Sequence, residues 1–160
     1  MKYGIFRFLL LGLSSVLPAC AAGAPMDESG GAPAPARERA DPSSVVVSVD
    51  AGSRAIGAWE LEFRYDPAVV SVRAVRPAPE GGFPAAPMSD PSTWRSGATP
   101  ILGFVVGNAP SGRVDVAVVE LEGRQAGESS LSVSVRALYA PDGKPIPGTA
   151  LGSAARVRVR

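Results

Sequence analysis

Histidine is absent from this sequence and cysteine occurs once, so much of the usual catalytic chemistry is missing. Histidine is the usual general base near neutral pH and the commonest metal ligand in proteins. Without it, a serine–histidine–aspartate hydrolase is excluded. A single cysteine cannot form a disulfide within the chain, so a folded domain has to rely on its own hydrophobic core.

An excess of charge of either sign is also lacking. The 160 residues include 16 basic and 15 acidic side chains, for a net charge of +1 at pH 7. Loss of an N-terminal segment containing Lys2 and Arg7 would leave the rest of the chain slightly acidic. A chain so close to neutral has no strong attraction to a phosphate backbone, so nucleic acid is not expected as a partner.

Glycine and proline are abundant, with 18 and 16 copies, and both destabilise helices. One segment alternates apolar with charged residues over seven positions, which is the period of a strand with one buried face. Its apolar members are Trp59, Leu61, Phe63 and Tyr65, and its charged members are Glu60, Glu62 and Arg64. This segment predicts a strand with its aromatic side turned inward.

Other short segments are rich in β-branched residues or alternate in the same way. Further strands are predicted at 45–49, 69–75, 101–106, 113–121, 131–137 and 155–159, with turns at 50–54 and 141–144. The run at 101–106 is apolar throughout, which predicts a buried strand. In the segment at 131–137, the odd-numbered residues are expected to face inward. Short strands separated by turns predict an all-β protein with an antiparallel sandwich over residues 44–160.

The N-terminal segment has the parts of a secretory signal peptide: a basic start, an apolar stretch and small residues after it. Within it, Leu17-Pro18-Ala19-Cys20 resembles a bacterial lipobox. The resemblance implies a signal peptide at 1–19, a lipid on Cys20, and an exported lipoprotein anchored in a membrane, with the outer membrane or cell surface favoured. The alternative is an ordinary signal peptide cut after Ala21 or Ala22, with Cys20 discarded.

Residues 20–43 lack apolar periodicity and consist mainly of alanine, proline, glycine and charged residues. Such a segment buries too little apolar surface to offset the entropy lost on ordering. Prolines such as those in 32–35 favour extended geometry, which makes a semi-rigid spacer. We therefore expect a disordered tether between the lipid and the sandwich.

The order of segments in the sandwich resembles that of a cohesin domain, a jelly-roll sandwich found in cellulosome scaffolds and bacterial surface proteins. The resemblance rests on VVVSVDAG at 45–52, on GAWELEFRYDPAVVSVRAV at 57–75, and on the strand, turn and Asp-Gly pattern of 116–147. Residues 76–100 depart from the family pattern because they are short of strands and rich in proline. The resemblance implies a dockerin-like or other surface protein as partner. Because some carbohydrate-binding modules have a similar fold, it also implies an association with polysaccharide.

Four residues are candidates for a binding site. Trp94 lies in an irregular segment, where an aromatic ring could contact a protein or a sugar; alternatively, it closes one end of the sandwich. Glu60, Glu62 and Arg64 share the charged side of one strand, where they either contact a partner or form a solvated surface. Two carboxylates side by side on a strand do not flank a substrate as glycosidase carboxylates do.

No cofactor or metal is expected. Calcium sites need several oxygen ligands from one loop, and the turn at Asp142 supplies a single carboxylate. The sequence therefore predicts a non-catalytic binding module rather than an enzyme. Its predicted function is cohesin-like protein docking or scaffolding at the cell surface; the alternative is a carbohydrate-binding module that attaches the cell or a complex to a glycan.

Overall fold

A computed structural model describes residues 43–160, which form β-strands and one short 3₁₀ helix. The strands are β1 (Ser43–Ala55), β2 (Ala58–Arg64), β3 (Val70–Arg76), β4 (Met88–Ser89), β5 (Ala98–Phe104), β6 (Ser111–Gly123), β7 (Gly127–Ser130), β8 (Ser132–Tyr139), β9 (Thr149–Gly152) and β10 (Arg156–Val159). The helix spans Pro91–Thr93. The predicted signal peptide, Cys20 and the tether through residue 42 lie outside these residues. Over 43–160, no helix is long and apolar enough to cross a membrane.

The strands make two four-stranded sheets and one two-stranded ribbon, and all pairs are antiparallel. The first sheet has the order β3–β6–β1–β9, and the second has the order β4–β5–β2–β8. The ribbon pairs β10 with β7. This architecture confirms the predicted all-β, antiparallel sandwich of the jelly-roll type.

The core lies between the two sheets and is built from the inward-facing residues of the longer strands. In β1, Val45, Val47 and Val49 are fully buried, as the alternation of a half-buried strand requires. Trp59 lies in the same core and meets the ring of Phe83 edge to face, with the ring centroids 6.0 Å apart. Such aromatic contacts add to the stabilisation that apolar burial supplies in the absence of disulfides.

The turn predicted at 50–54 does not end a strand, because this segment lies inside β1. The strand pairs with β6 up to Asp50, loses register, and pairs again at Ala55. Gly52 adopts a positive φ of 60°, and its N–H donates to the Asp50 carboxylate at 2.8 Å. A local turn is therefore accommodated as an irregularity within one long strand.

The strand predicted at 101–106 begins and ends earlier, at Ala98–Phe104. Pro100 lies inside β5, although proline has no N–H to donate to a ladder. The neighbouring strand β4 pairs only with Ile101 and Leu102, so β5 is an edge of the sheet at Pro100. The prediction that 101–106 is buried holds for Ile101, whereas Phe104 is 48% exposed.

Strand β8 contains a β-bulge that sequence alternation did not predict. Leu61 pairs with Val135, but Glu60 pairs with Ala137, so Arg136 is the extra residue. After the bulge, the even-numbered residue faces inward instead of the odd-numbered one, so Leu138 rather than Ala137 is buried in the core. The expectation that all odd-numbered residues of this strand face inward is therefore wrong after position 135.

Candidate functional site

The surface of interest is the outward side of the second sheet, which we call the outer face. In β2, Trp59, Leu61 and Phe63 are buried, so the residues between them point away from the core. Cross-strand partners share a side, so the registers of β2 with β5 and β8 define the rest of the outer face. This surface combines a charged end with an apolar end.

The charged end surrounds Glu62. Its carboxylate forms ion pairs with Arg64, its neighbour along β2, and with Arg136 from the bulge of β8. The hydrogen bond from Arg136 is the main reason that the pKa of Glu62 lies below its usual value, and the same bond raises the pKa of Arg136. The bulge therefore places a cation across the strand from the carboxylate, and two arginines neutralise Glu62.

Glu60 lies in the middle of the outer face and has a different environment. Its direct cross-strand neighbours are Leu102 on β5 and Ala137 on β8, both apolar. The side chain is exposed, and Glu60 takes part in none of the ion pairs found over residues 43–160. Arg136 attracts it only at longer range. Glu60 is thus a solvated carboxylate with apolar neighbours.

The apolar end begins one row further along the sheet. Phe104 and Tyr139 lie opposite Ala58 on its two sides, and they are 48% and 41% exposed. Met88, which pairs with Leu102 in the next row, is 47% exposed. We call the group formed by Ala58, Met88, Leu102, Phe104 and Tyr139 the apolar end.

The apolar end continues into the loop that follows β5. Val105 donates its N–H to the carbonyl of Gly57 at 2.9 Å, which holds the loop beside the start of β2. The next residue, Val106, is 87% exposed. Of the five large apolar side chains that are exposed in residues 43–160, only Leu151 lies elsewhere, on β9 of the first sheet.

Trp94 follows the 3₁₀ helix and is half-buried against the core. Its indole N–H donates to the hydroxyl of Ser89 at 3.0 Å, and its carbonyl accepts the N–H of Val72 at 3.0 Å. These contacts connect Trp94 to β3 of the first sheet and to β4 of the second sheet. They correspond to the alternative in which Trp94 closes the sandwich, while its role in binding stays a prediction.

Other surface features offer less for chemistry. A shallow cleft of about 460 Å³ is lined by Glu80, Gly82, Pro110, Arg113, Val114 and Asp115. The Asp115 carboxylate is already engaged, since the hydroxyl of Ser48 donates to it at 2.5 Å. Among residues 43–160, no three side chains of the metal-binding types come close enough to hold an ion.

Sequence reasoning named the charged residues of the outer face but missed the apolar end. The continuous apolar run at 101–106 predicts a buried strand, although in an antiparallel sheet with one solvated face only every second residue is covered. Applied to this run, that rule would have marked Leu102 and Phe104 as outward-facing. Tyr139 carried no such signal, because its side is set by the bulge at Arg136.

Comparison with known proteins gives a fold but no close relative. No protein-family model matches the chain, and no curated protein matches it significantly. Solved structures with similar folds are cohesins. A cohesin of Clostridium acetobutylicum, determined in solution, gives a TM-score of 0.54 at 18% identity, over 74% of this chain and 86% of that chain.

Two further cohesin structures have a similar fold. A chain in a type I cohesin–dockerin complex from Clostridium thermocellum gives a TM-score of 0.53 at 13% identity, over 68% of this chain and 82% of that chain. A non-cellulosomal cohesin from the archaeon Archaeoglobus fulgidus gives 0.51 at 14% identity, over 71% of this chain and 81% of that chain. Residues 43–160 therefore have the cohesin fold, an antiparallel β-sandwich of the jelly-roll type.

Proposed function

We propose that this chain is a non-catalytic protein-docking module that binds its partner through the outer face of the second sheet. The observation that carries the proposal is the clustering of exposed apolar side chains at one end of that face. Phe104, Tyr139 and Met88 are each more than 40% exposed and lie in two adjacent rows of the sheet. Clusters of this kind mark interaction surfaces, because exposed apolar area is costly in water.

The composition of the surface also favours a protein as partner. Aromatic and methionine side chains are enriched at protein interfaces, and a few buried aromatic anchors supply most of the binding energy. The ion-paired arginines beside Glu62 would then form part of a polar rim around an apolar centre. The strands hold these groups in place before binding, which reduces the entropy lost on association.

The similar structures support the same class of partner. One of the three structures reported above is a chain from a complex between a type I cohesin and a dockerin from Clostridium thermocellum. We propose a dockerin-like or other surface protein as the partner here. We further propose that the signal peptide and the lipid on Cys20 place the module on the outer membrane or cell surface, where it would act as a scaffold and could associate with polysaccharide breakdown.

One observation favours the alternative, a carbohydrate-binding module. Phe104 and Tyr139 are exposed aromatic residues on the outer face, on either side of the small Ala58. Rings presented in this way can stack on sugars. Met88 and Val106 beside them are aliphatic, however, and a mixed apolar surface fits a protein better than a glycan.

The test is a capture experiment. The full chain is purified in mild detergent and immobilised, and an extract of the cells that produce it is passed over it to retain binding partners. Phe104→Asp and Tyr139→Asp place a charge in the apolar end. Leu151→Asp is the matched control on the first sheet, because Leu151 is exposed to a similar extent, at 47%. We expect one protein that is retained by the wild type and by Leu151→Asp and is lost with both other variants. Binding that survives Phe104→Asp and Tyr139→Asp would overturn the proposed surface, and retention of an insoluble polysaccharide alone would favour the glycan alternative.

A further inference from the structure

Strand β8 forms one edge of the second sheet, and its side away from β2 is covered only at the two ends. Within residues 43–160, β2 is the only strand that pairs with β8. Just before β8, the N–H of Leu131 donates to the carbonyl of Ala155 at 2.8 Å. At the far end, the N–H of Ile146 donates to the carbonyl of Leu138 at 2.9 Å. Two short pieces of the same chain therefore bound an opening beside the middle of β8.

The opening exposes unpaired backbone groups of Val133 and Val135. Neighbouring residues of a strand direct their N–H and C=O groups to opposite sides. The Tyr139 carbonyl accepts the N–H of Gly57 at 2.7 Å, so it points toward β2. Counting back through the one-residue bulge places the backbone groups of both valines on the open side. Apart from the ladder between β2 and β8, neither valine makes a backbone–backbone hydrogen bond in the described part of the chain. Such groups are a template for a further strand.

Space for such a strand lies beside the opening. A cleft of about 400 Å³ is lined by residues 135–139 of β8 and by residues 145–148. Beyond this cleft, the chain leaves β8 and forms β9 of the first sheet. The opening between the two flanking bonds is roughly 20 Å long at the rise of a strand. The side chains of Val133 and Val135 pack against the core there but are only partly buried, so a strand in the cleft would complete their burial.

The other edges of the two sheets are less available. On β3, the N–H of Val72 donates to the carbonyl of Trp94 at 3.0 Å. The edge formed by β4 and β5 combines a two-residue strand with Pro100, which has no N–H to donate. Strand β9 has four residues, whereas β8 has eight. Natural sheets avoid long open edges, so the opening on β8 is the edge position best suited to pairing with another chain.

We propose that a partner protein inserts a short extended segment into this opening as an added strand of the second sheet. Main-chain hydrogen bonds to Val133 and Val135 supply affinity, and alternate side chains of the segment supply specificity. The segment carries β-branched or aromatic residues on the side of the two valines, and no proline among the residues that bond to them. Tyr139 lines the cleft and belongs to the apolar end, so one partner can contact both surfaces. The added strand deepens the proposed docking function, on which it rests.

A second copy of the chain does not fit this opening. The strand that it could offer is its own β8, which follows β7 with only Leu131 between them. The two flanking pieces of chain would block that longer strand at both ends of the opening. A loop or a terminus of another protein needs only about six extended residues to fill it.

The test selects phage-displayed linear peptides against the full chain in mild detergent, with counter-selection against Val135→Pro. Proline at this position removes an N–H that points away from β2, so the pairing of β8 with β2 is kept. Ala150→Pro on β9, the edge strand of the first sheet, is the matched control. We expect proline-poor peptides with alternating apolar residues that bind the wild type and Ala150→Pro equally. Their affinity should fall at least tenfold with Val135→Pro and with Val133→Pro.

Two measurements on the wild-type protein do not depend on the folding of any variant. Bound peptide should slow amide hydrogen exchange at Val133 and Val135 at least tenfold, because both N–H groups become paired. N-methylation of alternate peptide residues should abolish binding, because it removes the donors that face β8. N-methylation of the residues between them should leave affinity within about twofold, since those N–H groups face solvent.

The outcomes separate the added strand from the proposed docking surface. Peptides that require Phe104 but tolerate Val135→Pro, without slower exchange at Val133 and Val135, would overturn the added strand and leave the docking surface intact. A natural partner whose capture survives Phe104→Asp but is lost with Val135→Pro would support the added strand and overturn the apolar end as the docking surface. A selection that yields no peptide dependent on Val135 would overturn the added strand. Concentration-dependent self-association lost in Val135→Pro would identify a second copy of the chain as the occupant and contradict the inference.

Discussion

Replacement of Phe63 by alanine tests how the core supports the outer face. Phe63 is fully buried near the end of β2, between Thr99 on β5 and Val133 on β8, and its ring centroid lies 5.8 Å from that of Tyr65. Truncation removes most of a large buried ring and leaves a cavity between rigid strands. Such substitutions cost about 3–5 kcal/mol, because the transfer free energy is lost and the cavity collapses only partly.

The assay is equilibrium unfolding in urea, followed by tryptophan fluorescence. For a domain of this size, the free energy of unfolding falls by about 2 kcal/mol per molar urea. The urea concentration at the unfolding midpoint should therefore fall by roughly 2 M, with this slope unchanged. Glu62→Ala is the matched control one residue away, on the opposite side of the same strand, and should leave the midpoint nearly unchanged because both arginines of its ion pairs are largely exposed to solvent. Equal midpoints for the two variants would refute the assignment of inward and outward sides on which the outer face rests.

Four other substitutions or conditions have defined outcomes. Cys20→Ser should release the chain from the membrane fraction or block its processing, and equal mature mass and solubility of the two forms would contradict a lipid at this position. Trp94→Ala should lower the free energy of unfolding by about 1–3 kcal/mol, because a half-buried ring loses its core contacts; unchanged stability with weaker partner binding would make it a contact residue instead. Gly103→Ala should cost about 1–3 kcal/mol through overpacking in a urea titration, since a Cβ at this position would lie 2.6 Å from a buried indole ring, and an unaltered midpoint would refute that contact. Because the hydrogen bond from Arg136 lowers the pKa of Glu62, the ion pairs should persist above the usual glutamate pKa and be lost as pH falls through the lowered value; an NMR titration midpoint at or above the usual value would disprove the pairing.

The strands with regular alternation could be predicted from sequence. In β2, apolar and charged residues follow each other without interruption, and the structure places them on opposite sides as expected. The strand β2 stops at Arg64, shortly before Asp66-Pro67, because proline has no N–H to donate to a neighbouring strand. The alternation of apolar and charged residues and the residues that end a strand are local properties, so they can be recognised in the sequence itself.

The irregular parts could not be predicted, because they depend on pairing with distant strands. The bulge at Arg136 exists only in relation to Glu60 and Leu61 of β2, 75 residues or more away along the chain. Strand β4 has two residues and β9 has four, too few for alternation to be recognised. The apolar end of the outer face was missed for the same reason, since the bulge decides which side of the sheet Tyr139 occupies.

The central claim is that the partner covers the apolar end of the outer face. Hydroxyl-radical footprinting of the full chain, with and without its captured partner, measures this directly because methionine, phenylalanine and tyrosine side chains are readily oxidised when exposed. The account predicts that Met88, Phe104 and Tyr139 lose most of their reactivity in the complex, while Leu151 on the first sheet keeps the reactivity it has in the free protein. Unaltered oxidation at Met88, Phe104 and Tyr139 in a saturated complex, or protection centred on Leu151, would contradict it.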